Sequence, residues 1–555
     1  MAKYVLVSDT TLSREYNNFP LLDFLPCAPS ATVPGIIYEF LKGKPPPAND
    51  GRASSAPYAL RKIEASLLAH HKPEEVVVVH EDFIEAFIKE DTEIIGVYTM
   101  DPLGLGPLTM SYAVLFDDPS KPWVRVEFEL LMKRLNKARK GRRAKLIVGG
   151  PGVWELTMMP GLMEELGIDL AYQGEADDVI NKFFDDVISG AAYDGHYFHG
   201  FQSFDADFHK VWFTNDRFVT RKNASKQFPT LQEIPLIRNP AIKGLVEIMR
   251  GCGIGCDFCE VTLRPLRYYT PEMVKKEVSV NAALGYTNAW LHTDEIFAYE
   301  HGPHFVPNAE AIEEVFRAAV SVKGIRYSNP THGRISVPAA YPELTKKITE
   351  IVNGGPDHLI GCQVGLETGS ERLALIHMPN KTLPLKIGAD GSWQEIVLNG
   401  LRNMNLYYWR PAFTVQVGQA GETPEDNWET VALVNRMSSM EVDGRPTQFT
   451  VTPMQNVPLG LIKSNGFSSK MLDESQLAVY YACYRHLMKM TRRAAMRDSK
   501  GNLVQRTMMS SILSIGSFGL LHVVEAICKK RGVDIEKVKR YGLSLYDQAA
   551  PVIAR

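Results

Sequence analysis

The chain has 555 residues, of which 45% are hydrophobic and 23% charged, with a formal net charge of −3. That length exceeds what one hydrophobic core fills, so two to four domains are expected in an otherwise ordinary globular composition. The near-neutral balance excludes a global attraction to nucleic acid or anionic membrane. Seven cysteines in so long a chain exclude a disulfide framework.

The N-terminus, Met1 to Asp9, has no charged region followed by an apolar run and a cleavage site. It reads as a first β-strand, and a cytoplasmic location is expected. Apolar, β-rich runs fall at residues 4–7, 76–80, 94–100, 145–149 and 170–173, with helical periods at 82–89, 127–139 and 175–188 between them. Apolar runs separated by helices indicate buried parallel strands, so residues 1–190 are expected to form a doubly wound, Rossmann-like sheet. Such sheets bind ligands at the carboxyl ends of their strands. The loops of interest are therefore Thr99-Met100-Asp101-Pro102 and Gly149-Gly150-Pro151-Gly152.

Residues 191–243 are aromatic and polar without clear period and read as an interdomain linker. A second alternation fills residues 244–458, with strands expected at 245–249, 289–292, 325–328, 359–365, 408–417 and 448–452. Helices such as 270–284 and 392–404 connect them. Thr270-Pro271 and Thr423-Pro424 are N-cap and first-turn pairs. Six such units suggest a (β/α)6 partial TIM barrel, with function again at the strand C-termini. Residues 459–555 look mainly helical. The fold class is α/β, followed by this helical region.

Arg250-Gly-Cys252-Gly-Ile-Gly-Cys256-Asp-Phe258-Cys259 follows the first barrel strand directly. Three thiolates on a glycine-rich loop can bind three irons of a cubane cluster, because the glycines let the backbone wrap closely. With no fourth cysteine nearby, one iron stays open. A zinc knuckle is the competing reading, but zinc asks for four ligands in paired spacing. Neither a second Cys-x-x-Cys nor a nearby histidine completes the set, and Cys362 lies in a separate strand.

The C-x3-C-x2-C spacing, with Phe258 before the last cysteine, resembles the signature of the radical S-adenosylmethionine (SAM) superfamily. The resemblance extends over residues 244–458. It implies a 4Fe–4S cluster on Cys252, Cys256 and Cys259, with SAM chelating the open iron. It also implies an external electron donor of ferredoxin or flavodoxin type. Asp294 and Glu295, in His292-Thr293-Asp294-Glu295, occupy the place of the acidic motif that grips the SAM amino group. Arg334, after the third strand, would meet the SAM carboxylate. Glu367, in Val364-Gly-Leu-Glu-Thr-Gly-Ser370, and Gly418, in Gly418-Gln-Ala-Gly-Glu-Thr423, resemble two further SAM-binding motifs. Gln419 and Ala420 depart from the second.

A doubly wound domain before such a barrel resembles the cobalamin-binding domain of the class B branch. The resemblance assigns Thr99, Met100, Asp101, Pro102, Gly149, Gly150, Pro151, Gly174 and Glu175 to cobalamin. Many such domains carry Asp-x-His-x-x-Gly. Here Asp101-Pro-Leu103-Gly-Leu-Gly106 has leucine at the histidine position, so no histidine lower ligand is expected.

Near the C-terminus, Arg485, Lys489, Arg492, Arg493 and Arg497 precede an apolar stretch at 508–521, read as too short and too serine-rich to span a bilayer. A solvated helix beside a core helix is the favoured reading, with peripheral membrane contact left open.

The resemblance implies methyl transfer to an unactivated carbon through a 5′-deoxyadenosyl radical and methylcobalamin. The acceptor could be a protein side chain, such as one of methyl-coenzyme M reductase, or a lipid or small molecule. Three alternatives remain: a non-methylating radical enzyme such as an archaeal tetraether-lipid cyclase or a C–C coupling enzyme, a cobalamin sensor, and a tRNA-modifying enzyme. No nucleic-acid partner is expected, since no basic RNA-binding module is present.

Overall fold

A computed structural model describes residues 2–14, 20–191, 196–199, 211–214, 218–220, 228–457, 472–498 and 502–543. Its first sheet contains β1 (Tyr4–Ser8), β2 (Val76–Val78), β3 (Ile94–Tyr98), β4 (Lys145–Gly149), β5 (Leu170–Gln173) and β6 (Phe218–Thr220). The spatial order is β6-β5-β4-β3-β1-β2, and every pairing is parallel.

Successive side chains of each strand enter opposite cores. Val5, Val7, Ile95, Val97, Leu146 and Val148 pack with Phe128, Leu131 and Leu135 of the helix Trp123–Arg139. Tyr4, Leu6, Ile94 and Ile147 pack instead with Leu60 and Leu67 of Tyr58–Leu67 and Phe183 and Phe184 of Ile180–Ile188. A sheet covered on both faces needs apolar residues at every strand position, which is why these strands read as unbroken runs. The connections turn in opposite directions from β1, so a crevice opens at the carboxyl ends of β1 and β3. β6 lies inside the segment read as a linker. It pairs Phe218 with Ala171 and extends the sheet by one strand. The rest of that segment lies partly outside the described residues.

A second set of parallel strands comprises β7 (Leu245–Glu247), β8 (Asn288–His292), β9 (Tyr327–Pro330), β10 (Ile360–Glu367), β11 (Trp409–Val417) and β12 (Thr450–Gln455). They pair as β7-β8-β9 and β10-β11-β12, and a parallel bridge from His332 to Gln363 joins the two halves. The helices Pro271–Ala283, Ala309–Val320, Pro342–Ile351, Trp393–Leu406 and Pro424–Ser439 fill the successive crossovers. Thr270 caps the first of these, and Ser392 and Thr423 form capping boxes on the last two. One helix and strand per unit places all six carboxyl ends at the same mouth.

Three elements beyond these matter for the site. Helix α1 (Pro107–Phe116), apolar almost throughout, leaves the first sheet and reaches β12, where Ser111 Oγ accepts from Gln455 N at 2.6 Å. Helices α2 (Glu474–Asp498) and α3 (Leu503–Lys530) form a long hairpin. The apolar stretch read as too short to span a bilayer is thus the middle of a 28-residue helix. By length and composition alone, Arg506–Lys530 could cross a membrane.

Candidate functional site

The cysteine loop leaves the carboxyl end of β7. Gly251, Gly253 and Gly255 have φ of +83°, +71° and +92°, so the loop coils through conformations that side chains resist. At Gly251 a Cβ would also sit 2.6 Å from the Arg264 carbonyl oxygen. Three side chains fasten this coil. Asn380 Nδ2 donates to Ile254 O at 3.0 Å, and Thr262 Oγ1 accepts from Gly255 N at 2.8 Å. The His377 ring spans from the Asp257 carboxylate to the Ala420 carbonyl, 2.8 Å on each side. Burial would lower the His377 pKa, but Asp257 raises it above the ordinary value.

Cys256 is buried, and Cys252 and Cys259 are half-buried. Burial pushes the Cys256 thiol up to about 12 and raises the other two as well. Lys381 opposes this at Cys256 and Cys259. Its Nζ lies 2.8 Å from Glu367 Oε1 and 6.0 Å from the Phe258 ring centroid. Burial alone would lower the Lys381 pKa, but Glu367 and the thiols raise it. Glu367 ends β10 with φ of +63° and also accepts from Gln416 Nε2 at 3.1 Å. A non-glycine residue held in that region is strained and marks a position that tertiary structure dictates. Gly365 leaves room for this pair, since a Cβ there would collide with Glu367 Oε1 and Lys381 Nζ.

Glu295, after β8, accepts from Phe297 N at 2.9 Å and lies 3.5 Å from Arg334 Nη1. Arg334 is buried and donates from Nε to Leu383 O at 3.0 Å and from Nη2 to Phe305 O at 2.6 Å. Its Nη1 has no hydrogen-bond partner. Burial raises Glu295 and lowers Arg334, each partly offset by the other's charge. Asp294 is half-buried, and its charge raises Cys259. Gly418, with φ of +87°, donates from N to Glu422 Oε2 at 2.8 Å.

The structure therefore brings the three cysteines and Glu367 to one mouth with the Glu295–Arg334 pair. It buries Glu295 and leaves Asp294 half-buried. Sequence reasoning missed His377, Asn380 and Lys381. Lys381 is fourteen residues from Glu367 with the helix Glu371–His377 between them, so no single element's period pairs the two.

In the first-sheet crevice, Thr99 is buried with Oγ1 unpartnered, while Met100 is 56% exposed. Asp101 turns back to cap α1, accepting from Gly106 N at 2.9 Å and from the Thr109 hydroxyl. Leu103 lies in the core, and its N–H donates to Glu155 Oε2 at 2.8 Å. The glycines of the second loop let it press on the first. A Cβ on Gly150 would collide with Thr99 O, and one on Gly152 would lie 2.5 Å from Pro102 Cδ. Gly149 is half-buried and Pro151 exposed beside them.

Gly174 has φ of +119°. The Glu175 carboxylate that follows lies 2.7 Å from both Arg250 Nη1 and Arg267 Nη1. Burial would raise Glu175, but Arg267 and Arg250 hold it below the usual range. Glu175 thereby fixes the turn after β5 to the base of the cysteine loop.

No family model matches the chain. It is 25% identical over 247 residues to tRNA-2-methylthio-N(6)-dimethylallyladenosine synthase of Bacillus subtilis (strain 168), and the match takes in 43% of each chain. Two solved structures of the radical SAM methyltransferase TsrM from Kitasatospora setae are also similar. One, with tryptophan and a SAM analogue bound, gives a TM-score of 0.45 at 14% identity, covering 81% of this chain and 72% of that one. The other, with cobalamin and a [4Fe–4S] cluster bound, gives 0.48 at 13% identity, covering 96% and 99%.

The residues fit the groups that the sequence resemblance implies. No trio of His, Cys, Asp or Glu among the described residues is gathered tightly enough to hold a single metal ion. A cubane presents separate irons to its thiolates, so it suits three cysteines spread around a coil. Arg334 Nη1, Gln419 Oε1 and Gln455 Oε1 are buried without hydrogen-bond partners, and all three residues lie at or just beyond strand carboxyl ends. Buried polar atoms are costly unless paired, and a polar ligand at this mouth would pair them.

Proposed function

We propose that the chain is a cobalamin-dependent radical SAM enzyme that methylates an unactivated carbon. The observation that carries this reading is the pinned cysteine coil at the barrel mouth, beside Lys381–Glu367 and Glu295–Arg334 and tied through Arg250 to the first-sheet crevice. When bound, the cluster with SAM supplies hydrogen-atom abstraction, and cobalamin supplies the methyl group.

Cys252, Cys256 and Cys259 would hold the cluster, with SAM bound beside it. Lys381 offsets the negative charge that the thiolates gather. Asp294 and Glu295 take the SAM amino group, Arg334 offers Nη1 to its carboxylate, and Glu367 and Gly418 line the remainder. Thr99, Met100, Pro102, Gly149, Gly150 and Pro151 form the cobalamin face, with Asp101 and Glu175 shaping it from behind. With Leu103 in the core, the loop presents no histidine to cobalt. Burial of this mouth keeps water from a reactive intermediate, and the strand ends hold the acceptor carbon at a fixed position. The acceptor is a protein side chain, a lipid or a small molecule, and a ferredoxin- or flavodoxin-type donor supplies electrons.

The test is anaerobic. Protein reconstituted with iron, sulfide and hydroxocobalamin is given SAM and a strong reductant, and 5′-deoxyadenosine and S-adenosylhomocysteine are quantified. Both products are expected, and Cys256→Ala should abolish the first. 5′-Deoxyadenosine without S-adenosylhomocysteine, despite bound cobalamin, would replace methylation with coupling or cyclisation. Absence of both would remove the radical reading.

A further inference from the structure

We propose that α3 lies flat in the surface of an anionic lipid bilayer, with its exposed apolar face toward the acyl chains. From Thr507 to Val524 the helix carries no charged side chain, a run of about 27 Å at 1.5 Å per residue. A soluble protein normally hides such a run, yet only 17% of this stretch is buried. Val504 and Ile515 are 76% and 74% exposed, and Met508, Phe518 and Val523 are each about half exposed. Exposed apolar side chains recurring along one helix of a charged protein mark a contact surface.

The opposite stripe shows how the helix is held. Leu513, Ser517, Val524 and Cys528 are buried, at spacings that keep them on one side. Glu525 accepts from the Tyr481 hydroxyl of α2 at 3.2 Å, and Arg531 donates to Leu472 O at 2.7 Å. Drawing α3 across a bilayer would strip this stripe from the body. Lying in the interface keeps it and buries only the free face.

Charge decides between a lipid surface and other occupants. Residues 474–543 contain 13 Lys and Arg against 5 Asp and Glu, a net +8 within a chain of net −3, so the remainder carries −11. Arg506 stands near one end of the apolar run and Lys529, Lys530 and Arg531 beyond the other, with Arg492 and Arg493 exposed on α2. Cations flanking an apolar face match acidic headgroups above acyl chains. An RNA would engage the cations but leave Ile515 and Phe518 in water. The overall balance read from the sequence hid this asymmetry.

The inference holds whatever reaction the barrel performs. The full chain is sedimented with vesicles of phosphatidylglycerol and phosphatidylcholine, and with phosphatidylcholine alone, at physiological salt. At least tenfold greater partition to the anionic vesicles is expected. Ile515→Asp with Phe518→Asp, both at exposed positions, should reduce binding tenfold or more while leaving the circular dichroism spectrum unchanged. Lys529→Glu with Lys530→Glu should weaken binding to anionic vesicles alone. Failure to partition overturns the proposal, as does wild-type binding by either variant. Displacement by soluble RNA, or a dimer that the Ile515→Asp/Phe518→Asp variant dissolves, would also overturn it by giving the face another occupant.

Discussion

Lys381 and Glu367 retain only 13% and 9% of their side-chain exposure, and each is the other's principal counter-charge. Removing one partner of such a pair leaves an uncompensated charge where water cannot reach it, at a cost of about 3–5 kcal/mol. Lys381→Met is therefore expected to lower stability by that order in urea unfolding. Lys381→Met combined with Glu367→Met should recover most of the loss, because neither charge then remains buried. A single variant within about 0.5 kcal/mol of wild type would show that the pair is solvated after all. Asp9, at the crevice end of β1, makes a different case. Burial pushes its carboxyl up to about 7, against hydrogen bonds from Thr11. A carboxyl raised above its unfolded value contributes stability at low pH that is lost as pH rises through the folded value. Between pH 4 and 8 the wild type should lose on the order of 2–4 kcal/mol from this group. Asp9→Asn keeps an acceptor for Thr11 and removes the loss. Urea midpoints measured from pH 5 to 8.5 should converge at the acid end and separate at the alkaline end. Parallel curves would exonerate Asp9.

At the scale of elements, what the sequence discloses depends on whether a segment's reason for folding is local. Strands covered on both faces must be apolar throughout, so β1, β4 and β5 are visible as runs within a residue of their true ends. Capped crossover helices are visible for the same reason, since Thr270, Ser392 and Thr423 announce their starts. β6 has only three residues and is a strand because β5 offers it an open edge, which no local pattern records. Asp101 is similar. Its carboxylate serves α1, although its place in a loop at a strand end suggested a ligand contact. The site divides along the same line. Cys252, Cys256 and Cys259 declare themselves by spacing, whereas His377, Asn380 and Lys381 reach the coil only because the chain returns after Glu371–His377. Helix α3 extends beyond the apolar run that the sequence displays because hydroxyls inside a helix can bond the preceding turn, as Ser517 does to Leu513 O at 2.5 Å.

The two sheets form one working unit only if the crevice and the cysteine coil keep a fixed separation, and Arg250 gathers more carboxylates across that junction than any other residue described above. Its guanidinium meets Glu247, at the end of β7, at 2.9 Å, and Glu175 and Asp177, in the turn after β5, at 2.7 Å. Burial would raise Glu247, but Arg250, Lys62 and His292 hold it down at about 2. Arg267 and Tyr269, beyond the coil, close the same network on Glu175 and Glu247. An arginine suits this place because one planar group can serve several carboxylates at once. Arg250→Met would strand acidic groups from both sheets in a buried site, costing about 3–5 kcal/mol. The cost falls on the junction, since the carboxylates left behind come from both sides of it. The expected outcome is therefore a change in cooperativity as well as in stability. Calorimetry of the variant should resolve two transitions where the wild type gives a more nearly single one, and limited proteolysis should cut between the sheets first. A variant that simply melts lower, as one transition, would locate the coupling elsewhere, with α1 and its Ser111–Gln455 contact the next element to test.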